Sequence, residues 1–114
     1  MKDSRINKLA KSLINYSCEL KPGENILIET YGNDTELSQA LVREAYKAGG
    51  NPVITMKNPV MNRVLLTGCN EGQLKDIASF EMARMSKMHA YIGIRSGGNI
   101  SEMSGVPSDR MQPC

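Results

Sequence analysis

The sequence predicts an α/β fold, a three-layer sandwich in which a short parallel sheet of about three strands carries helices on both faces. Short apolar runs bounded by turn residues alternate with longer segments that have a helical period. The links between these segments are short, which is typical of strand–helix–strand units with parallel strands. We expect a single domain over residues 1–95, followed over 96–114 by a loop and the truncated start of another helix.

The first half of the chain predicts two helices around one strand. Over residues 4–20, apolar side chains recur at the spacing of one helix face. Residues 26–30 are too few and too rich in isoleucine for a helix, so they indicate a strand buried on both faces. The second helix, over 34–48, ends at Gly49 and Gly50, because glycine readily adopts the left-handed conformation of a helix C-cap.

The second half of the chain repeats this alternation. We expect a strand over 52–56, a short helix over 60–67, a longer helix over 70–88 and a third strand over 90–94. The first strand is expected to be the central one. Three strands are few for a covered parallel sheet, and the last helix starts without continuing, so the sequence predicts the front of a larger protein.

Composition and charge exclude several functional classes. The 114 residues carry 14 basic and 12 acidic side chains, and the net charge of +2 is too balanced for a nucleic-acid-binding domain. No apolar stretch approaches the roughly 18 residues of a membrane-spanning helix. No apolar leader follows Met1, so we expect a cytoplasmic protein without membrane or nucleic-acid partners. Three widely spaced cysteines and one histidine match neither a disulfide framework nor a zinc site.

Single side chains that could carry chemistry have simpler structural explanations. His89 lies at the boundary of a helix and a strand, with no second histidine to pair with it. Met82 and Met85 have helical spacing, which predicts core positions. Gly93 lies inside the third strand, where it predicts tight packing. The glutamates are scattered over separate elements, so we expect no catalytic residue and no metal ligand in this chain.

The loops that follow the first and third strands are the candidate ligand-binding segments, because ligands usually bind at the carboxyl ends of parallel strands. A dinucleotide fingerprint needs several glycines, and the first loop contains only Gly32. The loop residues that could face a cleft are Tyr31, Gly32, Asn33, Arg95, Ser96 and Asn99.

Several segments have a recognisable order and spacing. They are residues Leu13 to Ser17, Leu20 to Glu29 with its Lys-Pro-Gly-Glu turn, Leu41 to Pro52, Ala90 to Arg95, and Val106 to Arg110. Together they resemble the amino-terminal part of the thermophilic-type metalloaminopeptidases, the aminopeptidase S and aminopeptidase T group. The resemblance extends over nearly the whole chain.

This resemblance implies a parent enzyme, a homodimer, that removes amino-terminal residues from peptides with two divalent metal ions of the zinc or cobalt class. In that family the metal ligands lie in a carboxyl-terminal domain. The chain itself would then be structural or substrate-gating, would hold no cofactor, would be inactive alone, and would meet the peptide substrate through the missing domain. Two other classes stay open on the residues alone: a stand-alone doubly wound module that binds a nucleotide or another small molecule, and a pure interaction domain.

Overall fold

The computed structural model of the protein describes residues 4–32, 36–95 and 99–104, and it confirms the α/β class. Helices and strands alternate as the hydrophobic pattern predicts. In chain order the elements are helix α1 (Ser4–Ser12), a π-helical turn (Leu13–Ser17), strand β1 (Asn25–Tyr31), helix α2 (Glu36–Lys47), strand β2 (Asn51–Lys57), helix α3 (Pro59–Thr67), helix α4 (Glu71–Met85), strand β3 (Ala90–Arg95) and strand β4 (Asn99–Ser104).

The described strands form one sheet in the order β2-β1-β3-β4. The first three strands run parallel, and β1 lies between β2 and β3, as predicted. Leu27 of β1 pairs with Val53 of β2 on one side and with Tyr91 of β3 on the other. Because successive side chains of a strand point to opposite faces, this register places these three residues on one face and their chain neighbours on the other.

The main core lies between one face of the sheet and the layer formed by α1, the π-helical turn and α2. Ile26 and Ile28 of β1 are fully buried there, together with Ile92 of β3. From the helices, Ile14 and Leu41 are likewise fully buried. The opposite face has a much smaller buried cluster, made of Leu27, Met85 and Met88 with Tyr91 packed against it.

The first helix is shorter than predicted because it changes its winding. The Cys18 N–H donates to the Leu13 carbonyl at 2.8 Å, a step of five residues that widens the last turn. Glu19 then takes a left-handed backbone, with φ at 51°, and ends the helix. Leu20 therefore leaves the helix but is still buried, as its position in the apolar pattern indicates.

The end of α2 agrees with the glycine pair in the sequence. Gly49 has a φ of 82°, in the left-handed region. The Gly50 N–H donates to the Ala45 carbonyl at 2.9 Å and so satisfies one of the last free carbonyls of the helix.

Helix α4 corrects one prediction about the core. Met85 is buried as expected, but Met82 is 45% exposed, and Leu74 near the start of the helix is 52% exposed. Met85, the last residue of α4, is its one buried residue. The helical spacing correctly placed Leu74, Met82 and Met85 on one side of the helix. Burial of that side requires a packing partner, and the described residues provide none along most of α4.

Residues 99–104 correct a second prediction. The sequence predicts a loop from residue 96, whereas Asn99–Ser104 forms β4, antiparallel to β3. The stretch is mostly polar, so its hydrophobic pattern was not informative, and its strand structure comes from hydrogen-bonded pairing with β3. Half-buried Ile100 packs against the main core. The predicted helix start near Pro107 lies outside the described residues.

Within the parts of the chain that the structure describes, no helix has both the length and the apolar content required to cross a membrane.

Candidate functional site

The carboxyl end of the sheet brings together two residues that the sequence predicts to face a cleft. β1 ends at Tyr31 and its neighbour β3 ends at Arg95. The Arg95 guanidinium lies over the Tyr31 ring, 4.7 Å from its centroid. β2 lies on one side of β1 and β3 on the other, so the strand order reverses at this point. Ligands of open α/β sheets usually bind where the order reverses.

The other predicted loop residues are only partly described. The Gly32 N–H donates to the Lys57 carbonyl at 3.0 Å, which joins the end of β1 to the end of β2. Gly32 has a φ of 103°, which favours glycine. Asn33 and Ser96 lie outside the described residues, and Asn99 is the first residue of β4, paired with Arg95. Contact of these residues with a ligand stays a prediction.

A cleft of about 580 Å³ opens at this edge, within the size range of small-molecule sites. Helix α3 provides the wall that the sequence analysis did not predict. The predicted order of elements does contain a signal for this wall. Because β2 is parallel to β1, the helix that follows β2 starts at the same edge of the sheet as the two candidate loops. The cleft is lined by Tyr31, Pro59, Asn62, Arg63, Leu66, Thr67 and Arg95.

Local chemistry explains why α3 starts directly after β2. The Asn58 side chain accepts hydrogen bonds from the Val60 and Met61 N–H groups at 2.9 and 3.0 Å, which caps the helix. Pro59 occupies the first turn, where its missing N–H costs nothing. This short, capped start places Asn62 and Arg63 beside the ends of β1 and β3.

A buried carboxylate lies two residues before Tyr31 on the same strand. Glu29 is only 7% exposed. Its Oε1 accepts hydrogen bonds from the Tyr91 hydroxyl at 3.1 Å and the Tyr31 hydroxyl at 3.5 Å, and its Oε2 lies 3.4 Å from Lys57 Nζ. A carboxylate removed from water needs such partners. The sequence signal was a glutamate inside an otherwise apolar buried strand, which the scattered-acid interpretation overlooked.

The environment of Glu29 raises the pKa values of two of its partners, Tyr91 and Lys57. Burial, reinforced by the Glu29 carboxylate, raises the pKa of Tyr91 far above its ordinary value of 10.0. Burial alone would lower the pKa of Lys57, but the Glu29 carboxylate, with smaller contributions from Tyr31 and Glu81, outweighs it and raises this pKa above 10.5. The cluster is therefore a stable ion pair with hydrogen bonds, which orients the Tyr31 ring beneath Arg95.

Metal binding finds no support in the described residues. Nowhere in ranges 4–32, 36–95 and 99–104 do three His, Cys, Asp or Glu side chains come together as a possible metal site. His89 has a structural contact, because its Nδ1 accepts a hydrogen bond from the Asn25 N–H at 3.0 Å. The described residues do not fit a metal centre, and we assign no catalytic step to them.

The outer surface of α3 and α4 is apolar and open. In the described structure α3 has no buried residue. Val60 and Met61 are both 69% exposed, as is Phe80 of α4. Exposed apolar patches commonly mark interaction surfaces. We name the exposed apolar side chains of the two helices that lie outside the cleft the α3–α4 face: Val60, Met61, Val64, Leu65, Leu74, Phe80 and Met82.

Comparison with known proteins defines the class. Residues 2–114 match the family described as thermophilic metalloprotease (M29), and the chain belongs to that family. It is also similar to the aminopeptidase PepS of Streptococcus thermophilus, with 24% identity over 111 residues. The match covers 93% of this chain and 27% of that relative, so the chain spans about a quarter of the relative's length. The resemblance noted in the sequence is thus confirmed.

Proposed function

We propose that this chain is the amino-terminal domain of a metal-dependent aminopeptidase, with a structural or substrate-gating role and no metal site of its own. Membership of the M29 family and similarity to an aminopeptidase support the activity of the whole protein. The metal pair, of the zinc or cobalt class, and the catalytic residues would belong to a further part of the enzyme. A cytoplasmic location is part of this proposal, because the three widely spaced cysteines match no disulfide framework.

The main observation that supports a structural role is the exposed apolar α3–α4 face. Fully burying one large apolar side chain contributes about 1.5–3 kcal/mol, and this face has seven such side chains in contact with water. Arg63 is the one charged residue of α3, whereas α4 has five, so α3 is the half of this face whose composition is typical of the centre of an interface. A surface of this composition is suited to being covered.

The occupant that we propose for this face is the remainder of the same aminopeptidase polypeptide. The relative that the chain matches is aligned over only 27% of its length, so most of such an enzyme is available to form the covering layer. Within one polypeptide the covering part is always present at high effective concentration, which favours a large apolar contact.

The test mixes the 114-residue chain with the polypeptide encoded after codon 114, expressed separately. We expect a complex in size-exclusion chromatography. We also expect release of p-nitroaniline from leucyl-p-nitroanilide, with zinc or cobalt, only when the second polypeptide is present. Val64→Asp, on the α3–α4 face, should prevent the complex. Tyr46→Asp, at a similarly exposed site on α2, is the matched control and should not.

Two results would contradict the proposal. One is chelator-sensitive peptidase activity of the 114-residue chain alone, which would place the active site in this chain. The other is a dimer of the chain that forms without the second polypeptide and is lost in Val64→Asp, which would assign the face to a second copy.

A stand-alone doubly wound module that binds a nucleotide or another small molecule is the second candidate. The observation that favours it is the cleft at the reversal of strand order. A saturable rise in Tm with ATP or NAD, combined with no effect of the second polypeptide, would support this candidate over the first.

A further inference from the structure

We propose that the cleft between α3 and the ends of β1 and β3 binds the carboxylate group of a peptide, held by Arg63 and Arg95. We call it the arginine cleft. The peptide part of this inference rests on the proposed function, whereas the carboxylate part rests on the cleft alone.

The charge of the arginine cleft is the first argument. Two of its seven lining residues are arginines and none is acidic. Within the described part of the chain, neither Arg63 nor Arg95 forms an ion pair with a carboxylate. The nearby Glu29 is engaged by Lys57 and Tyr91. The two guanidinium groups therefore give the cleft an uncompensated positive charge among the described residues.

The fixed position of Arg95 is the second argument. Its guanidinium stacks on the Tyr31 ring at 4.7 Å. The ring is held from its other end, because the Tyr31 hydroxyl donates toward Glu29 Oε1, and Lys57 Nζ lies 5.6 Å from the ring centroid. Holding the guanidinium in place before a ligand arrives reduces the entropy that binding would cost.

The contribution of α3 is the third argument. Arg63 is on an N-capped helix, and its carbonyl accepts a hydrogen bond from the Thr67 hydroxyl at 2.7 Å. Asn62, next to it, adds an amide that can donate or accept. Pro59 and Leu66 provide apolar walls against which the carbon atoms next to a carboxylate can pack.

The lining of the cleft favours a carboxylate over a phosphate. A guanidinium can form two parallel hydrogen bonds with either anion, so the other lining groups decide between them. Phosphate sites are typically built from glycine-rich loops and helix N-termini, whose backbone N–H groups point at the anion. The lining of the arginine cleft instead runs along the side of α3 from Pro59 to Thr67 and includes no glycine.

The test titrates the isotopically labelled 114-residue chain with N-acetyl-dialanine, which has a free carboxylate, and with its carboxamide. We expect saturable NMR shifts of the Arg63, Arg95 and Tyr31 signals with the acid only. Arg63→Gln and Arg95→Gln should each weaken binding by about tenfold or more, since each removes a charge-assisted contact. Arg43→Gln, on α2 and outside the cleft, is the control and should bind unchanged.

Further probes show which kind of anion the arginine cleft binds. Acetate should bind about tenfold more weakly than the peptide, because its single methyl group covers less of the apolar walls than two alanine residues do. Equal binding of the carboxamide, or full affinity in both arginine variants, would overturn the inference. Equal binding of inorganic phosphate would replace it with a general anion site, and equal binding of acetate would remove the peptide part. These results use the chain alone, so they are independent of whether it docks to a second polypeptide.

Discussion

Tyr91 reaches Glu29 by lying across Gly93. Its hydroxyl is 3.1 Å from Glu29 Oε1, and Gly93 pairs directly with Glu29 in the sheet. A Cβ atom at Gly93 would lie 2.5 Å from the Tyr91 hydroxyl oxygen. The glycine is therefore required by the path of a neighbouring side chain, and it makes possible the hydrogen bond that helps to compensate a buried carboxylate.

Gly93→Ala should destabilise the fold by about 1–3 kcal/mol, because the added methyl group displaces the Tyr91 hydroxyl from Glu29. The measurement is the free energy of unfolding in urea. Gly72→Ala is the matched control, because its Cβ would meet only Asn70 Oδ1, at 3.6 Å. It should be neutral or stabilise α4 by up to about 1 kcal/mol. Equal losses in both variants would contradict this explanation.

Stability should fall as the pH rises above 10. The pKa values of Tyr91 and Lys57 are both raised in the folded state, so the folded chain holds protons that the unfolded chain has already released. Unfolding therefore releases protons, and alkaline pH favours it. The contribution of these two groups to stability is fully present below pH 10 and is lost as the pH rises through their raised pKa values. Urea unfolding between pH 8 and 11 measures it.

Tyr91→Phe tests whether Tyr91 contributes to this loss of stability at alkaline pH. The variant should be less stable than the parent chain by about 1 kcal/mol at pH 8, because Glu29 loses a hydrogen bond. Its stability should depend less on pH above 10, with Lys57 responsible for the remainder. An unchanged alkaline dependence would assign the effect to other groups.

Asn58→Ala should disorder α3 while leaving the rest of the fold intact. The side chain caps two N–H groups, which is typically worth about 1 kcal/mol, and α3 has no buried side chain to compensate the loss. Backbone NMR shifts over 59–67 should move toward coil values, with little change in the main core. Asn58→Asp keeps an accepting oxygen and should retain the helix. A global loss of stability in Asn58→Ala would show that α3 is coupled to the core.

The sequence was sufficient for the parts of the fold that local patterns determine. The β1 run from Ile26 to Ile28 predicted a buried strand, and Gly49 predicted the end of α2, because each signal depends on a few adjacent residues. β4 was not predictable in this way, since its strand structure comes from pairing with β3 and its own residues are mostly polar.

The candidate site was predictable only along the two strands that border it. Tyr31 and Arg95 followed from their position at strand ends, whereas Arg63 depends on where α3 lies against the sheet. Two partners of Glu29, Lys57 and Tyr91, come from the neighbouring strands β2 and β3, so no local spacing could reveal them. The exposure of Met82 was missed because helical spacing shows which side chains share a face but not whether a partner covers it.

Hydrogen exchange of α3 is the most direct test of the central claim, that the α3–α4 face docks onto the remainder of the aminopeptidase. In the 114-residue chain, the backbone amides of Val60 to Thr67 in α3 should exchange with little protection, because no side chain of this helix is buried. In the whole enzyme the same amides should be at least about tenfold better protected, since burial of the face opposes local opening. Amides of β1, buried in both forms, provide the reference. Equal protection of α3 in the chain and in the whole enzyme would contradict the claim.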